Sequence, residues 1–200
     1  MLTVAGAGPG NPRLLTGEVV ERIRSAGKVI AFGRIARDIA GLRDDVVQVK
    51  SVEDVMGHVE DEGDCLLLAS GDPLFYGIAG YLRKRGVIVG RVIPGISSFQ
   101  YMMSALGMDW QDAFLTSGHG RELDAQGVKR SRVSVILLDS GETPDDISKK
   151  LRGLGIRGKI HAGCNLSYED ELIVSCRIGD EIVMDSKLSL VVIENEAFKG

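Results

Sequence analysis

Short, unbroken apolar runs recur through the first half of the chain, at Leu2–Ala5, Val29–Phe32, Val46–Val49, Cys65–Ala69 and Val87–Ile93. Between most of them lie stretches with helical spacing. Val19, Val20 and Ile23 share a face behind Thr16, which is suited to cap a helix. Ser51 is placed to cap a second helix through Val55 and Val59, and Ile78, Tyr81 and Leu82 mark a third. Strands that are apolar on both faces and alternate with helices require a parallel sheet covered on both sides. The first half therefore reads as an α/β lobe.

After "PGISSFQYMMSALGMDWQDAF" the pattern changes. A helix through Phe99, Met102, Met103 and Leu106 stops at Gly107, and a polar stretch runs from Thr116 to Arg132. Strands follow at Val133–Leu138, Lys159–Ala162, Leu172–Cys176 and Leu190–Ile193, with a helix over Pro144–Leu151 capped by Thr143. Strands set this close, with one clear helix, predict a mixed sheet. The expected fold class is α/β, with two lobes. Residues 1–110 form the mostly parallel sheet with flanking helices, and residues 111–200 form the mixed sheet. The connection near residues 108–113 is short, so the lobes are expected to pack closely and leave a cleft.

A chain of 200 residues is long enough for this arrangement. Its formal charge of −4 offers no general attraction to nucleic acid or to an anionic membrane. Its longest apolar runs reach about seven residues, far short of the ~20 that cross a bilayer. The first core strand starts at Leu2, which leaves no room for a signal peptide. Cys65, Cys164 and Cys176 are odd in number and form no CxxC pair. That pattern opposes a disulfide framework and a zinc or other metal site, and it suits a reducing cytoplasm. Glycine is the outlier: 26 of 200 residues is roughly twice the usual ~7%. The glycines fall at element ends without a repeat, as tight turns and close backbone approaches require.

Three Gly/Pro stretches follow predicted strands: "AGAGPGNP" the first, "ASGDPLFYG" the fourth and "IPGISS" the fifth. Ligands of open α/β sheets bind beyond the carboxyl ends of the strands, so three such loops on one edge indicate a site. A dinucleotide fingerprint fits poorly. That motif runs directly into a helix, whereas Pro9 and Pro12 interrupt the run here and the helix waits until Thr16. Gly33 and Arg34, and no acidic residue, close the second strand. Asp72 precedes a proline and is steered away from helix. Its carboxylate could accept hydrogen bonds from a ligand, or serve only as a turn or helix-start residue.

GAGPGNPRLLT, SGDPLFYG and PGISS, in this order and spacing, resemble the tetrapyrrole methylases over essentially the whole chain. "TSGHGRE" (116–122) and "CNLSYEDELI" (164–173) are most similar to the branch that methylates C5 of a cobalt-precorrin. The length matches its short form, without a fused C15-methylating, decarboxylating domain. The resemblance implies S-adenosylmethionine as cofactor, folded into the cleft, with glycines that let backbone approach the ligands closely. It implies contacts from Pro9, from Ser70, Gly71 and Asp72 to the methionine part, from Phe75 nearby, and from Ser97 and Ser98. In the second lobe it implies adenosine contacts from Leu138, or Asp139 one residue on, and from Leu166. Relatives often carry Gly and Thr-Ala where this chain has Ser70 and Ser97–Ser98, and many have glycine at the place of Leu166.

A tetrapyrrole rich in carboxylates calls for arginine, whose fork binds them bidentately. Arg121 leads, with Arg13 and Arg34 behind it. His119 suits the macrocycle edge or the cofactor, or simply its own loop backbone. His58 and His161 read as structural, and "KRSR" at 129–132 as a solvated turn. The resemblance also implies a homodimer and a separate C15-methylating decarboxylase as a further partner, and it names no catalytic base. Other precorrin positions, diphthine synthase, a nucleotide-dependent oxidoreductase and a non-catalytic tetrapyrrole-binding subunit stay open at this point.

Overall fold

The computed structural model describes residues 1–59, 63–118, 123–138, 141–184 and 189–198, in two compact units, Met1–Ser98 and Phe99–Gly200. The first unit holds β1 (Leu2–Gly6), α1 (Gly17–Ser25), β2 (Lys28–Phe32), α2 (Gly33–Asp38) and β3 (Val47–Val49). It continues with α3 (Val52–Val59), β4 (Cys65–Ala69), α4 (Ile78–Lys84) and β5 (Val89–Ile93). The strands lie in the order β3-β2-β4-β1-β5, and every pairing is parallel.

Successive side chains of a strand face opposite sides, and here both sides are covered. Val29, Ala31, Leu66 and Leu68 enter one core with Val19 and Ile23 of α1. Ile30 and Leu67 enter the other with Val55 of α3 and Leu82 of α4. Each fully buried Leu, Ile or Val side chain contributes about 1.5–3 kcal/mol relative to exposure. This two-sided burial is why the strands read as unbroken apolar runs. Thr16 caps α1 by accepting from Val19 N–H at 3.4 Å, and Ser51 Oγ accepts from Asp54 N–H at 3.1 Å ahead of α3.

In the second unit, α5 (Ser98–Leu106) enters from the first and β6 (Phe114–Ser117), α6 (Ala125–Lys129) and β7 (Val133–Leu137) follow. Then come α7 (Pro144–Gly153), β8 (Gly158–Cys164), β9 (Leu172–Arg177) and β10 (Ser189–Asn195). The order is β6-β7-β10-β8-β9; β6 runs parallel to β7, and the other neighbours are antiparallel. Ile147 and Leu151 of α7 pack on Ile136, Ile160 and Val191.

Three elements go beyond the hydrophobic pattern. Helix α2 starts directly from β2, and its N-cap, Phe32, makes no side-chain cap bond. β6 is four residues long and overlaps the polar stretch; α6, capped by Asp124, is five. Cys65 and Cys164 are buried, Cys176 is half-buried, and no disulfide joins them. Among the described residues no helix is long and apolar enough to cross a membrane.

Helix α7 opens on a capping box. Thr143 Oγ1 accepts from Asp146 N–H at 3.1 Å, and Asp146 accepts from Thr143 N–H at 2.9 Å. Thr143→Ala is expected to cost about 1 kcal/mol, read as a lower urea midpoint. An unchanged midpoint would mean that packing of Ile147 and Leu151 alone holds the helix.

Candidate functional site

The loops that leave β4, β1 and β5 arise from three adjacent strands. From β1 the chain moves toward β2 on one side, and from β4 it crosses β1 to reach β5 on the other. The direction of winding therefore reverses here, which is where open α/β sheets bind ligands.

Backbone meets backbone at this edge. Ala7 N–H donates to Ala69 O at 2.7 Å, continuing the ladder, and Gly71 N–H donates to Gly8 O at 2.8 Å. A Cβ on Gly6 would lie 2.4 Å from Gly71 O and 2.6 Å from Gly95 Cα, and one on Gly95 would lie 2.5 Å from Gly71 O. No side chain fits at Gly6 or Gly95. The three loops touch through one glycine each.

Asp72 ties the loops further. Its Oδ1 accepts from Leu74 N–H at 2.8 Å, and its Oδ2 accepts from Gly95 N–H at 3.2 Å, 23 residues away. A carboxylate has about four acceptor positions, so two stay available to a ligand. Pro9 and Ser97 are buried, Gly71, Asp72 and Ser98 are half-buried, and Ser70 is exposed. Phe75 meets Tyr76 edge-on, 5.0 Å between ring centres, and Tyr76 sits at φ +50°, which an aromatic residue rarely adopts. The structure thus gathers Pro9, Ser70, Gly71, Asp72, Phe75, Ser97 and Ser98 at one edge of the first unit. Arg34 joins them from α2, its Nη2 3.3 Å from Ser70 Oγ. Arg13 is exposed on the loop after β1.

The second unit has a comparable edge. Strands β7 and β8 both end where β10 begins: Leu138 N–H donates to Ser189 O at 3.2 Å, and Ser189 pairs with Cys164. Leu138 and Leu166, 4% and 6% exposed, are therefore brought to the same side of that sheet. β6 ends there too, with Gly118 N–H donating to Leu137 O at 2.8 Å. His119, Arg121 and Asp139 lie outside the described residues. His161 is buried on β8, its Nδ1 2.7 Å from Ser175 Oγ and its Nε2 2.9 Å from Glu194 Oε1, so it braces three strands; His58 is half-buried on α3. Among the described residues no group of three or more His, Cys, Asp or Glu could hold a metal ion.

Comparison with known proteins gives these edges a context. The family of Tetrapyrrole (Corrin/Porphyrin) Methylases matches residues 1–181. The chain belongs to the tetrapyrrole methylases. It is 33% identical to the cobalt-precorrin-7 C(5)-methyltransferase of Salmonella typhimurium, over 98% of this chain and 100% of that one. Among solved structures, the precorrin-6Y methylase of Archaeoglobus fulgidus superposes with a TM-score of 0.77 at 23% identity, over 98% of this chain and 99% of that one. The uroporphyrin-III C-methyltransferase of Thermus thermophilus, solved with S-adenosylhomocysteine, reaches 0.75 at 23%, over 96% of each. The parallel first sheet and mixed second sheet are the expected α/β class, shared with the solved tetrapyrrole methylases.

Two residues of this tetrapyrrole methylase escape a reading of the sequence as a string. Gly95 stands inside "PGISS", yet its role as partner of Asp72 depends on the strand order. Glu171 stands inside "CNLSYEDELI", and its bonds form only after the loop closes on itself.

Asp72→Asn supplies one acceptor oxygen where two are in use, so either Leu74 or Gly95 N–H loses its partner. We expect about 1–3 kcal/mol of lost stability and faster amide exchange at those two positions. Exchange mass spectrometry of peptides over 70–76 and 94–98 checks this; wild-type protection in both would refute the tie.

Proposed function

We infer that this tetrapyrrole methylase transfers a methyl group from S-adenosylmethionine to C5 of a cobalt-precorrin in cobalamin biosynthesis. The full-length match to the Salmonella enzyme of that name carries the reading. A cytoplasmic homodimer, working beside a separate C15-methylating decarboxylase, completes it.

The residues present fit the cofactor. At the edge of the first sheet, Gly8 and Gly71 are left-handed, at φ +73° and +64°, which glycine reaches without steric cost. Ser70, Gly71 and Asp72 would hold the methionine part, with Phe75 nearby and Pro9, Ser97 and Ser98 also against the cofactor, and Leu138 and Leu166 would meet the adenosine. When bound, S-adenosylmethionine supplies a methyl group on a sulfonium sulfur that is its own leaving group. The macrocycle supplies the carbon nucleophile, so the chain needs no nucleophilic side chain. Its work is to orient the reactants, which turns an encounter of two molecules into a step within one complex. Asp72 contributes by fixing the loops and by offering its remaining lone pairs to an amine. Arg121, with His119 and then Arg13, would fix the carboxylate arms of the tetrapyrrole.

Two measurements test this reading. Calorimetry should show binding of S-adenosylhomocysteine and none of NAD. Incubation with cobalt-precorrin-7 and S-adenosylmethionine should add one methyl group by mass spectrometry. Binding of NAD alone would point to an oxidoreductase, and cofactor binding without methyl transfer to a different precorrin position or a protein substrate. Arg121→Ala should raise the KM for the tetrapyrrole roughly tenfold and leave cofactor binding unchanged; wild-type kinetics would move the carboxylate partner elsewhere, Arg13 first.

A further inference from the structure

The turn after β8 carries backbone strain. Asn165 and Ser167 are left-handed, at φ +47° and +72°. Asparagine tolerates that region, but serine seldom enters it. Two such residues in three positions cost free energy, and strain of this kind persists where surrounding contacts enforce it, commonly at ligand sites.

The enforcing contacts are visible. Ser167 N–H donates to Glu171 Oε2 at 2.6 Å, and Asn165 Nδ2 donates to Asp170 Oδ2 at 2.7 Å. Tyr168 N–H reaches Asn165 O at 3.0 Å, and Glu171 N–H reaches Tyr168 O at 3.1 Å. From α5, the Tyr101 hydroxyl donates to the Glu171 carboxylate. Burial, and then this bond, push the Tyr101 phenol above its ordinary pKa. Glu171 thus joins the strained turn to a helix.

Between the two left-handed residues, Leu166 points into the core. A Cβ placed on Gly163 would meet Leu166 Cδ2 at 3.0 Å and Met102 Sδ at 2.7 Å, which shows how tightly that side chain is packed. Among the described residues, neither the N–H nor the C=O of Leu166 has a hydrogen-bond partner, although the residue is 6% exposed. Backbone groups at so buried a residue are nearly always paired. The side chain is spent on packing, and the peptide groups remain to be used.

We propose that Glu171, braced by Tyr101, is a positioning residue that holds the turn Asn165–Ser167 in its left-handed form, so that the peptide groups at Leu166 meet the adenosine of the cofactor. This rests on the function inferred above, and it assigns Glu171 and Tyr101 a part in it. Without the carboxylate, the turn relaxes toward unstrained backbone and the peptide groups turn away.

The test compares wild type, Glu171→Ala, Glu171→Gln and Tyr101→Phe by calorimetry with S-adenosylhomocysteine, thermal unfolding and exchange of a peptide over 165–168. Glu171→Ala should raise Kd about tenfold or more and speed exchange at Ser167. Glu171→Gln keeps an acceptor for Ser167 and should recover most of the affinity, with Tyr101→Phe in between. A merely structural Glu171 would lower the unfolding temperature while leaving the Kd of the folded protein unchanged, and that result overturns the proposal. If Glu171→Ala does not fold, unchanged Kd in Glu171→Gln and Tyr101→Phe together with unchanged exchange overturns it equally. A wild type that binds no S-adenosylhomocysteine removes the ligand and the function inferred above along with it. Binding in the wild type with no loss in any variant removes only the positioning role.

Discussion

Where Gly6, Gly71 and Gly95 meet, carbonyl oxygen and α-carbon of separate loops stand closer than any β-carbon permits. A contact of this kind has no slack. A side chain on either outer glycine has to displace a main chain, and the displaced main chain carries Ser70, Asp72 or Ser97 with it. The carboxylate of Asp72 then locks what the glycines bring together, since its two oxygens serve amides of different loops. The site is therefore a property of main-chain geometry first and of functional groups second.

The second unit solves a similar problem by other means. No trio of glycines closes the turn after β8; a carboxylate four residues on and a tyrosine from α5 close it instead. Glycine reaches a left-handed conformation at no steric cost, whereas Asn165 and Ser167 reach it under constraint. The first edge depends on its glycines and on the one carboxylate that ties them. The second depends on the chemistry of individual side chains.

Much of this was legible in the chain itself. Continuous apolar runs announced strands buried on both faces, and Thr16, Ser51 and Thr143 cap the helices that the spacing places behind them. The three Gly/Pro loops stood out because tight backbone packing needs those residues. What escaped was short or long-range. α2 lacks a capping side-chain bond, and β6 and α6 are four and five residues long, too few for a period to repeat. The Asp72–Gly95 tie spans 23 residues and follows from β5 lying beside β1, which no local pattern states. The strain at Ser167 left no mark in composition, because serine is an ordinary loop residue.

The strand order has a temporal side. β1 occupies an interior position, yet its neighbours are β4 and β5: Leu2 pairs with Cys65 and with Val89. β1, first in chain order within its sheet, is thus among the last there to find partners, and contacts this distant in sequence slow folding. Until β4 emerges, β1 is a hydrophobic segment with open edges on both sides, and one edge stays open until β5 follows, the kind of surface that chaperones hold and aggregates recruit. The glycine contact can form only after that strand is enclosed, so the loop edge of the first unit is completed at the end of its assembly.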